Sequence, residues 1–313
     1  MLRLWKLDQA ELILHFDIDL IRLIDGVRTC RRLPDQPPDF NDEGAMAMIR
    51  IAHVSDLHLH CRKQDNKKAL ALLERVRQVS SSTPATNYTL ITGDITDDGD
   101  PGQYRQALAA LQPFIGHLLL APGNHDYGPL GSIYLKENAK AFDKLLLHGV
   151  GIQQIYFNKQ PLVDLLDDGS GTQVLAVGLN SVSETVSPWD FARGNIGEEQ
   201  LSALHTILSN PAYATAHKLV YLHHRPLKCH DWFLELVDAE DLMAILHQQG
   251  VTVAAFGHTG GSLQEHEPPQ ARIVRVLVRT YGVPYLLNAN QSVAAQKFNE
   301  MVFDGQQITV RTV

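Results

Sequence analysis

Short apolar runs rich in β-forming residues alternate along most of this chain with segments whose apolar residues recur every three or four positions. The runs predict strands, and the segments predict amphipathic helices that pack on a sheet. The predicted strands are Ile49–Val54, Tyr88–Thr92, His117–Ala121, Val174–Leu179, Lys218–His223 and Val251–Phe256. The predicted helices are Ala69–Val79, Gln103–Leu111, Ala139–Leu147, Glu198–Leu208 and Ala239–Gln248. Alternating strands and helices indicate an α/β protein.

The pattern changes after Gly261, where strand-like runs follow one another without helices between them. These runs are Ile273–Thr280, Tyr285–Asn288, Val293–Phe303 and Gln307–Val313. Successive strands without helical crossovers are typical of antiparallel pairing. We therefore expect this segment to form a second, more antiparallel sheet.

The first 46 residues differ in character from the rest. Apolar and acidic residues are mixed up to about Ile24, and residues 31–44 are rich in Pro, Asp and Arg, which favours a linker. We expect residues 1–46 to be an N-terminal extension and linker, and residues 47–313 to be one domain. Because Met46 and Met48 directly precede the first strand, the leader could also lie ahead of the true translation start. An added helix and a partner-binding segment remain open as well.

Composition narrows the choice of partners and compartment. The 313 residues include 35 acidic and 27 basic ones, which gives no electrostatic reason to expect a nucleic-acid polymer or a membrane as partner. Three scattered cysteines form neither a CxxC pair nor a dense disulfide pattern. Without a signal-peptide pattern or a long apolar stretch, the expected location is the cytoplasm. The oligomeric state stays open.

Polar residues follow five of the predicted strands, each at the point where the apolar run ends. They are Asp56 and His58, then Asp94, then Asn124, His125 and Asp126, then His223, and finally His258. Because strand carboxyl ends in open α/β sheets converge on one crevice, these side chains are expected to meet. Imidazole and carboxylate ligands together suit Zn, Mn or Fe. One such cluster alone is usually a capped turn, but five in order predict a metal centre.

In order and in residue type, these five clusters resemble the signature of the calcineurin-like metallophosphoesterase superfamily. The resemblance implies a four-layer α/β/β/α sandwich with two mixed sheets. It also implies two divalent or transition metal ions about 3.5 Å apart. Such an enzyme is a metal-dependent phosphoric ester hydrolase, in which the ions activate a water for in-line attack on phosphorus.

The resemblance also implies a role for each residue. Asp94 is expected to bridge both ions. The remaining ligands are Asp56 and His58 for the first ion, and Asn124, His223 and His258 for the second. The expected catalytic residues are His125, which faces the substrate and supplies a proton to the leaving group, and Asp126, its orienting partner.

Within the superfamily, the segments around Asp94, Tyr104 and Asn124 look most like the cyclic-nucleotide phosphodiesterase branch. A cyclic nucleotide or another small phosphodiester is therefore the favoured substrate. Three alternatives stay open: a phosphoprotein phosphatase, a dinucleotide polyphosphate hydrolase and a non-catalytic binding scaffold of the same fold.

One position departs from the family pattern. The last cluster usually ends in a second histidine that completes the first metal site, and Gly260 stands there in this chain. Gly260 is therefore expected to weaken the first site. His60 and His266 are the spare histidines that could compensate, although His266 reads more simply as a solvated surface residue.

Overall fold

Residues 28–30, 48–82, 85–184, 192–227, 236–258 and 282–313 are described by a computed structural model. Its strands are β1 (Arg28–Cys30), β2 (Ile49–Val54), β3 (Thr86–Thr92), β4 (Leu118–Ala121), β5 (Leu162–Asp167), β6 (Gln173–Gly178), β7 (His217–Tyr221), β8 (Val253–Phe256), β9 (Tyr285–Asn288), β10 (Asn299–Asp304) and β11 (Gln307–Thr312). Its helices are α1 (Lys67–Ser81), α2 (Pro101–Leu111), α3 (Asn124–Tyr127), α4 (Lys136–Ala141), α5 (Glu198–Leu208), α6 (Ala239–Gln248) and α7 (Ser292–Ala295). A π-helical segment, Phe142–Leu147, continues α4.

The strands form two mixed sheets. The first has the order β11-β10-β2-β3-β4, and the second has the order β1-β5-β6-β7-β8-β9. In the first sheet β2, β3 and β4 are parallel, whereas β10 is antiparallel to β2 and to β11. In the second sheet only the β5–β6 pair is antiparallel. The parallel strands of each sheet place several strand carboxyl ends at the same end of the sandwich.

Three apolar layers separate four structural layers. Between the sheets, residues such as Ile51 and Leu90 of the first sheet pack in one cluster with Ala176 and Leu219 of the second. Helices α1 and α2 cover the outer face of the first sheet, and α5 and α6 cover the outer face of the second. Every residue of β2 is buried, as expected for a strand with apolar neighbours on both faces. The predicted α/β/β/α sandwich is confirmed.

The prediction for the C-terminal runs was partly wrong. Strand β9 is parallel to β8 and extends the second sheet, while β10 and β11 form an antiparallel hairpin that joins the first sheet. A short helix, Ser292–Ala295, begins the run that was predicted as a strand from Val293. A local apolar pattern does not encode which sheet a strand will join. The strands that extend the second sheet and the first sheet were therefore predicted together as one new sheet. The run at 273–280 lies outside the described residues.

Two further observations complete the fold. Strand β5 was missed by the sequence prediction, and Arg28–Cys30 of the predicted N-terminal extension pairs in parallel with it. Within the described ranges, no helix combines the length and apolarity that crossing a membrane requires.

Candidate metal centre

The polar clusters singled out in the sequence lie just beyond the carboxyl ends of strands from both sheets. Asp56 and His58 follow β2 and Asp94 follows β3, while α3 begins with Asn124 beyond β4. His223 follows β7, and His258 follows β8. Because the sandwich brings these ends together at one edge, side chains separated by up to about 200 residues become neighbours there.

One group of possible ligands consists of Asp56, His58 and Asp94. One ligand atom from each of the three lies within 4.8 Å of the others. Nε2 of His58 is 3.8 Å from Oδ2 of Asp94. Two backbone hydrogen bonds hold the loops in register: Asp56 N–H donates to Gly93 O at 3.1 Å, and His58 N–H donates to Asp94 O at 2.9 Å. The β2 and β3 loops thus present both carboxylates and the imidazole to one point.

A second group consists of Asp94, His223 and His258, again with ligand atoms within 4.8 Å of one another. Nε2 of His223 lies 3.3 Å from Oδ2 of Asp94. It also lies 2.9 Å from Oδ1 of Asn124. Asp94 belongs to both groups, so its carboxylate stands between two possible cation positions.

The hydrogen bonds around this second group fix which atoms face its centre. Nδ1 of His223 lies 2.7 Å from the carbonyl oxygen of Thr92, which can only accept, so Nδ1 carries the proton. Nδ2 of Asn124 donates to Gly131 O at 2.9 Å, which turns Oδ1 inward. In the neutral ring, Nε2 of His223 therefore presents a lone pair toward two other acceptors. Such a set of lone pairs fits a bound cation.

Strained backbone is concentrated at these residues. The φ angles are 56° at Asp56, 43° at His58, 49° at Asp94 and 40° at His258, all in the left-handed region that non-glycine residues rarely adopt. Such conformations persist only where the surroundings impose them, and they cluster at functional sites. All four residues belong to the two groups of possible ligands, so we attribute the strain to the requirements of the site.

Three buried polar atoms of these groups have no hydrogen-bond partner: Oδ2 of Asp56, Nδ1 of His58 and Nε2 of His258. Burying a polar atom without a partner costs free energy, so a ligand is the simplest explanation for their retention. Burial raises the pKa of Asp56 to about 6. Burial, assisted by the charge of His223, lowers the pKa of His258 to about 3. Burial thus keeps His258 in the neutral form that ligates metal, whereas the ionised form of Asp56 lacks the stabilisation that a cation would supply.

Asp94 and His223 form a buried ion pair at the centre. Burial opposes the charged form of both, but their mutual attraction outweighs it: the pKa of His223 rises to about 9 and the pKa of Asp94 falls below its usual range. A metal ion would replace the proton on His223, because imidazole ligates in its neutral form. The oxygen and nitrogen donors of both groups suit Mn, Fe or Zn, so the residues fit two such ions.

His125 is only half-buried and lies beside the first group. Its backbone N–H donates to Oδ1 of Asp94 at 3.0 Å, and its ring meets the ring of His58 edge-on at 4.6 Å between centroids. Nδ1 of His125 lies 2.7 Å from the carbonyl oxygen of Asp97, which assigns the proton to Nδ1. The ring is therefore held in one orientation by Asp97 and not by the neighbouring Asp126.

Asp126 was predicted to orient His125, but its side chain makes other contacts. Its buried carboxylate accepts hydrogen bonds from the backbone N–H groups of Gly123, Ile95 and Thr96, and from the Thr96 hydroxyl, at 2.8–3.2 Å. Burial, followed by the charge of Asp94, raises the pKa of Asp126 to about 6. Asp126 thus ties the β3 and β4 loops together. It follows His125 in sequence, but the turn of α3 directs its side chain inward.

Asp97 was missed by the sequence reasoning. Its carboxylate oxygens lie 3.3 Å from Nδ1 of His58 and 3.4 Å from Nδ1 of His60. With His58 and His125 it forms a third group of possible ligands within 4.8 Å. A carboxylate on the second nitrogen of a metal-binding histidine is a common orienting contact. The signal was available in the sequence, three residues after Asp94. Gly260 and His266 lie outside the described residues.

Comparison with known proteins agrees with this geometry. Residues 49–261 match the calcineurin-like phosphoesterase family. Over 222 residues the chain is 25% identical to a 3′,5′-cyclic-nucleotide phosphodiesterase of Nostoc sp., covering 67% of this chain and 71% of that protein. It is 26% identical to the 3′,5′-cyclic adenosine monophosphate phosphodiesterase CpdA of Vibrio vulnificus over 208 residues, covering 64% of this chain and 65% of CpdA.

Among solved structures, the fold is similar to that of a dimetal phosphatase from Danio rerio. The TM-score is 0.54 at 12% sequence identity, and the match covers 84% of this chain and 95% of the phosphatase. At this identity the likeness concerns the fold alone.

Proposed function

Because the chain belongs to the calcineurin-like phosphoesterase family, we propose that it is a two-metal phosphodiesterase that hydrolyses 3′,5′-cyclic nucleotides. The observation that carries this proposal is the position of Asp94, whose carboxylate is shared by two groups of possible ligands. Two cations held on either side of one carboxylate can clamp a single phosphoryl group between them.

In this proposal the six residues at the strand ends hold the metals. Asp56, His58 and Asp94 hold the first ion, and Asp94 acts with Asn124, His223 and His258 on the second. When bound, such ions neutralise the phosphoryl oxygens and lower the pKa of a coordinated water toward neutrality. The protein residues supply the geometry, because His223 and Asn124 donate hydrogen bonds to the carbonyl oxygens of Thr92 and Gly131, and these bonds hold their ligating atoms in place.

His125 acts on the leaving group. The alkoxide that leaves phosphorus needs a proton, and imidazole is the side chain that exchanges one most readily near neutral pH. Since Nδ1 of His125 is held by Asp97 O, a second proton on the ring would reside on Nε2. Nε2 is therefore the atom that we assign as the proton donor. Asp97 is the positioning residue for His125 and for His58.

The substrate class rests on the relatives. Two bacterial relatives are named as cyclic-nucleotide phosphodiesterases, and the net charge of −8 does not favour polynucleotides. A small phosphoester is therefore the proposed partner, and neither a nucleic-acid polymer nor a membrane is required. The cytoplasm is the proposed compartment, in keeping with the free thiol of the exposed Cys61.

The test is a substrate panel with controlled metal content. The purified protein is stripped with a chelator, reloaded with Mn²⁺, Fe²⁺ or Zn²⁺, and assayed with 3′,5′-cyclic AMP, a noncyclic diester, a phosphomonoester, a phosphopeptide and a dinucleotide polyphosphate. We expect metal-dependent turnover with the highest kcat/KM for the cyclic nucleotide. A higher kcat/KM for the phosphopeptide would identify a phosphoprotein phosphatase, and a higher kcat/KM for the dinucleotide would identify a dinucleotide polyphosphate hydrolase. Binding of metal without turnover of any substrate would identify a non-catalytic scaffold.

A further inference from the structure

A short loop with an unusual surface follows the Asn124–His125 pair. Residues 128–135 connect α3 to α4, and three large apolar side chains in this loop are exposed: Leu130 by 76%, Ile133 by 49% and Leu135 by 42%. Across the described ranges, the only other large apolar residues this exposed are Ile115 and Val237. The concentration of three in six residues marks a surface that is suited to an apolar contact.

The backbone of Leu130 is held in a conformation that leucine rarely adopts. Its φ and ψ angles are 59° and 9°, in the left-handed region. Local hydrogen bonds impose this turn: Gly131 N–H donates to Gly128 O, and Ser132 N–H donates to Pro129 O. An exposed side chain in a strained backbone contributes little to folding stability, so neither packing nor turn formation explains a leucine here.

The turn places Leu130 at the rim of the candidate metal centre. The next residue, Gly131, accepts the hydrogen bond from Asn124 Nδ2 and packs on the ring of His125. A Cβ atom at Gly131 would lie 2.5 Å from Cδ2 and 2.7 Å from Nε2 of His125, so the loop backbone touches the ring edge that bears the proposed proton donor. Leu130 directly precedes this glycine, so its backbone lies one residue from the contact with His125.

We propose that Leu130 forms an apolar platform for the heterocyclic base of a cyclic nucleotide bound at the metal centre. This rests on the function proposed above. The polar residues of the site face the phosphate, whereas the base is flat and uncharged near neutral pH and gains most from an exposed aliphatic surface. Leu130 therefore determines preference among phosphodiesters without touching the reacting atoms.

The experiment compares 3′,5′-cyclic AMP with an abasic analogue, a methyl riboside 3′,5′-cyclic phosphate. Leu130→Asn removes the apolar surface while keeping a residue that tolerates the left-handed backbone. We expect the ratio of kcat/KM for cyclic AMP to that for the analogue to fall about 3- to 10-fold, through KM, the size expected for losing one or two methylene contacts. Leu130→Gly, which also accepts the turn, should give the same fall.

Ile115→Asn is the matched control. Ile115 is 40% exposed and precedes β4, at the amino end of the strand and away from the site, so its substitution should leave the ratio unchanged. An unchanged ratio in both Leu130 variants, or an equal loss of kcat/KM on both substrates, would show that Leu130 does not bind the base. Loss of a dimer in sedimentation of Leu130→Asn, with an unchanged ratio, would assign the surface to a second copy instead. If the unmodified protein cleaves neither substrate, the proposed function fails first.

Discussion

Nε2 of His223 lies 2.9 Å from Oδ1 of Asn124, although 99 residues separate them in the chain. His223 follows a strand of the second sheet, and Asn124 follows a strand of the first. A cation bound between them would therefore link the two sheets at this edge. Since a ligand that binds only the folded state stabilises it, metal loading should raise the unfolding temperature as well as the activity.

The shared carboxylate gives the first prediction. Asp94→Asn removes the charge that serves both groups, so we expect metal affinity to fall at least about 10- to 100-fold, the loss caused by removing groups that merely orient ligands. Metal content after dialysis and turnover are the measurements. Asp241→Asn, at an exposed position on α6, is the control. Full metal content and full turnover in Asp94→Asn would exclude the bridging role.

Gly123→Ala tests the same carboxylate without removing a ligand. A Cβ atom at Gly123 would lie 2.2 Å from Oδ1 and 2.3 Å from the backbone nitrogen of Asp94, so the loop must shift. We expect reduced metal content measured by plasma emission spectrometry, in a protein that still folds. Gly149→Ala meets only the flexible side chain of Leu108 and should retain its metal. A Gly123→Ala protein with unaltered metal content would show that the position of Asp94 is not critical.

His125→Ala separates binding from chemistry. Because His125 is assigned to proton donation, metal content should stay nearly the same while turnover falls about 10²- to 10⁴-fold. The loss should be smaller for a nitrophenyl ester than for an alkyl ester, because nitrophenolate leaves without a proton. Equal losses on both esters would mean that His125 only orients the phosphate.

Gly260 leads to a prediction that rests on the sequence alone. With glycine at the place of a ligating histidine, we expect the purified protein to hold fewer than two metals per chain and to gain activity on addition of Mn²⁺. Gly260→His should raise the metal content, and Gly260→Ala, which adds volume without a ligand, should not. Two metals that resist dialysis against a chelator in the unmodified protein would contradict the missing-ligand account.

His53 provides a prediction of pH dependence away from the metal ligands. Its ring is buried, with Nε2 at 2.9 Å from the Thr92 hydroxyl, and burial lowers its pKa to about 3. Between the unfolded pKa of about 6.5 and this value, the unfolded state binds more protons, so stability is lost as pH falls through that window. In that pH window, His53→Gln should reduce the slope of the unfolding free energy of the metal-free protein against pH by up to about 1.4 kcal/mol per pH unit.

Urea unfolding of the metal-free protein between pH 4 and 6 measures this slope. His148→Gln, at an exposed position, is the control and should leave the slope as it is. If the slope were the same in the unmodified protein and in His53→Gln, His53 would have to be accessible to protons in the folded state.

Local pattern was sufficient for much of the fold. Strand β2 was predicted with its observed bounds, and helix α5 likewise, because each carries an uninterrupted apolar pattern. Strand β5 escaped notice, since its run contains Asp164 and ends in Asp167. The buried Asp164 is paired in the folded protein, which a pattern of apolar residues cannot reveal. The C-terminal runs were assigned to one sheet because pairing partners are chosen by the whole fold.

The sequence by itself determined the donors: carboxylate, amide and imidazole groups placed where apolar runs end. It also determined the strand ends that carry them, because hydrophobic periodicity is a local property. Only the tertiary structure decided which donors meet and in what orientation. Asp97, and not Asp126, contacts the histidines, although both follow a ligand candidate in similar loops. The difference arises from left-handed backbone turns and from hydrogen bonds between loops 30 residues apart, which no spacing along the chain encodes.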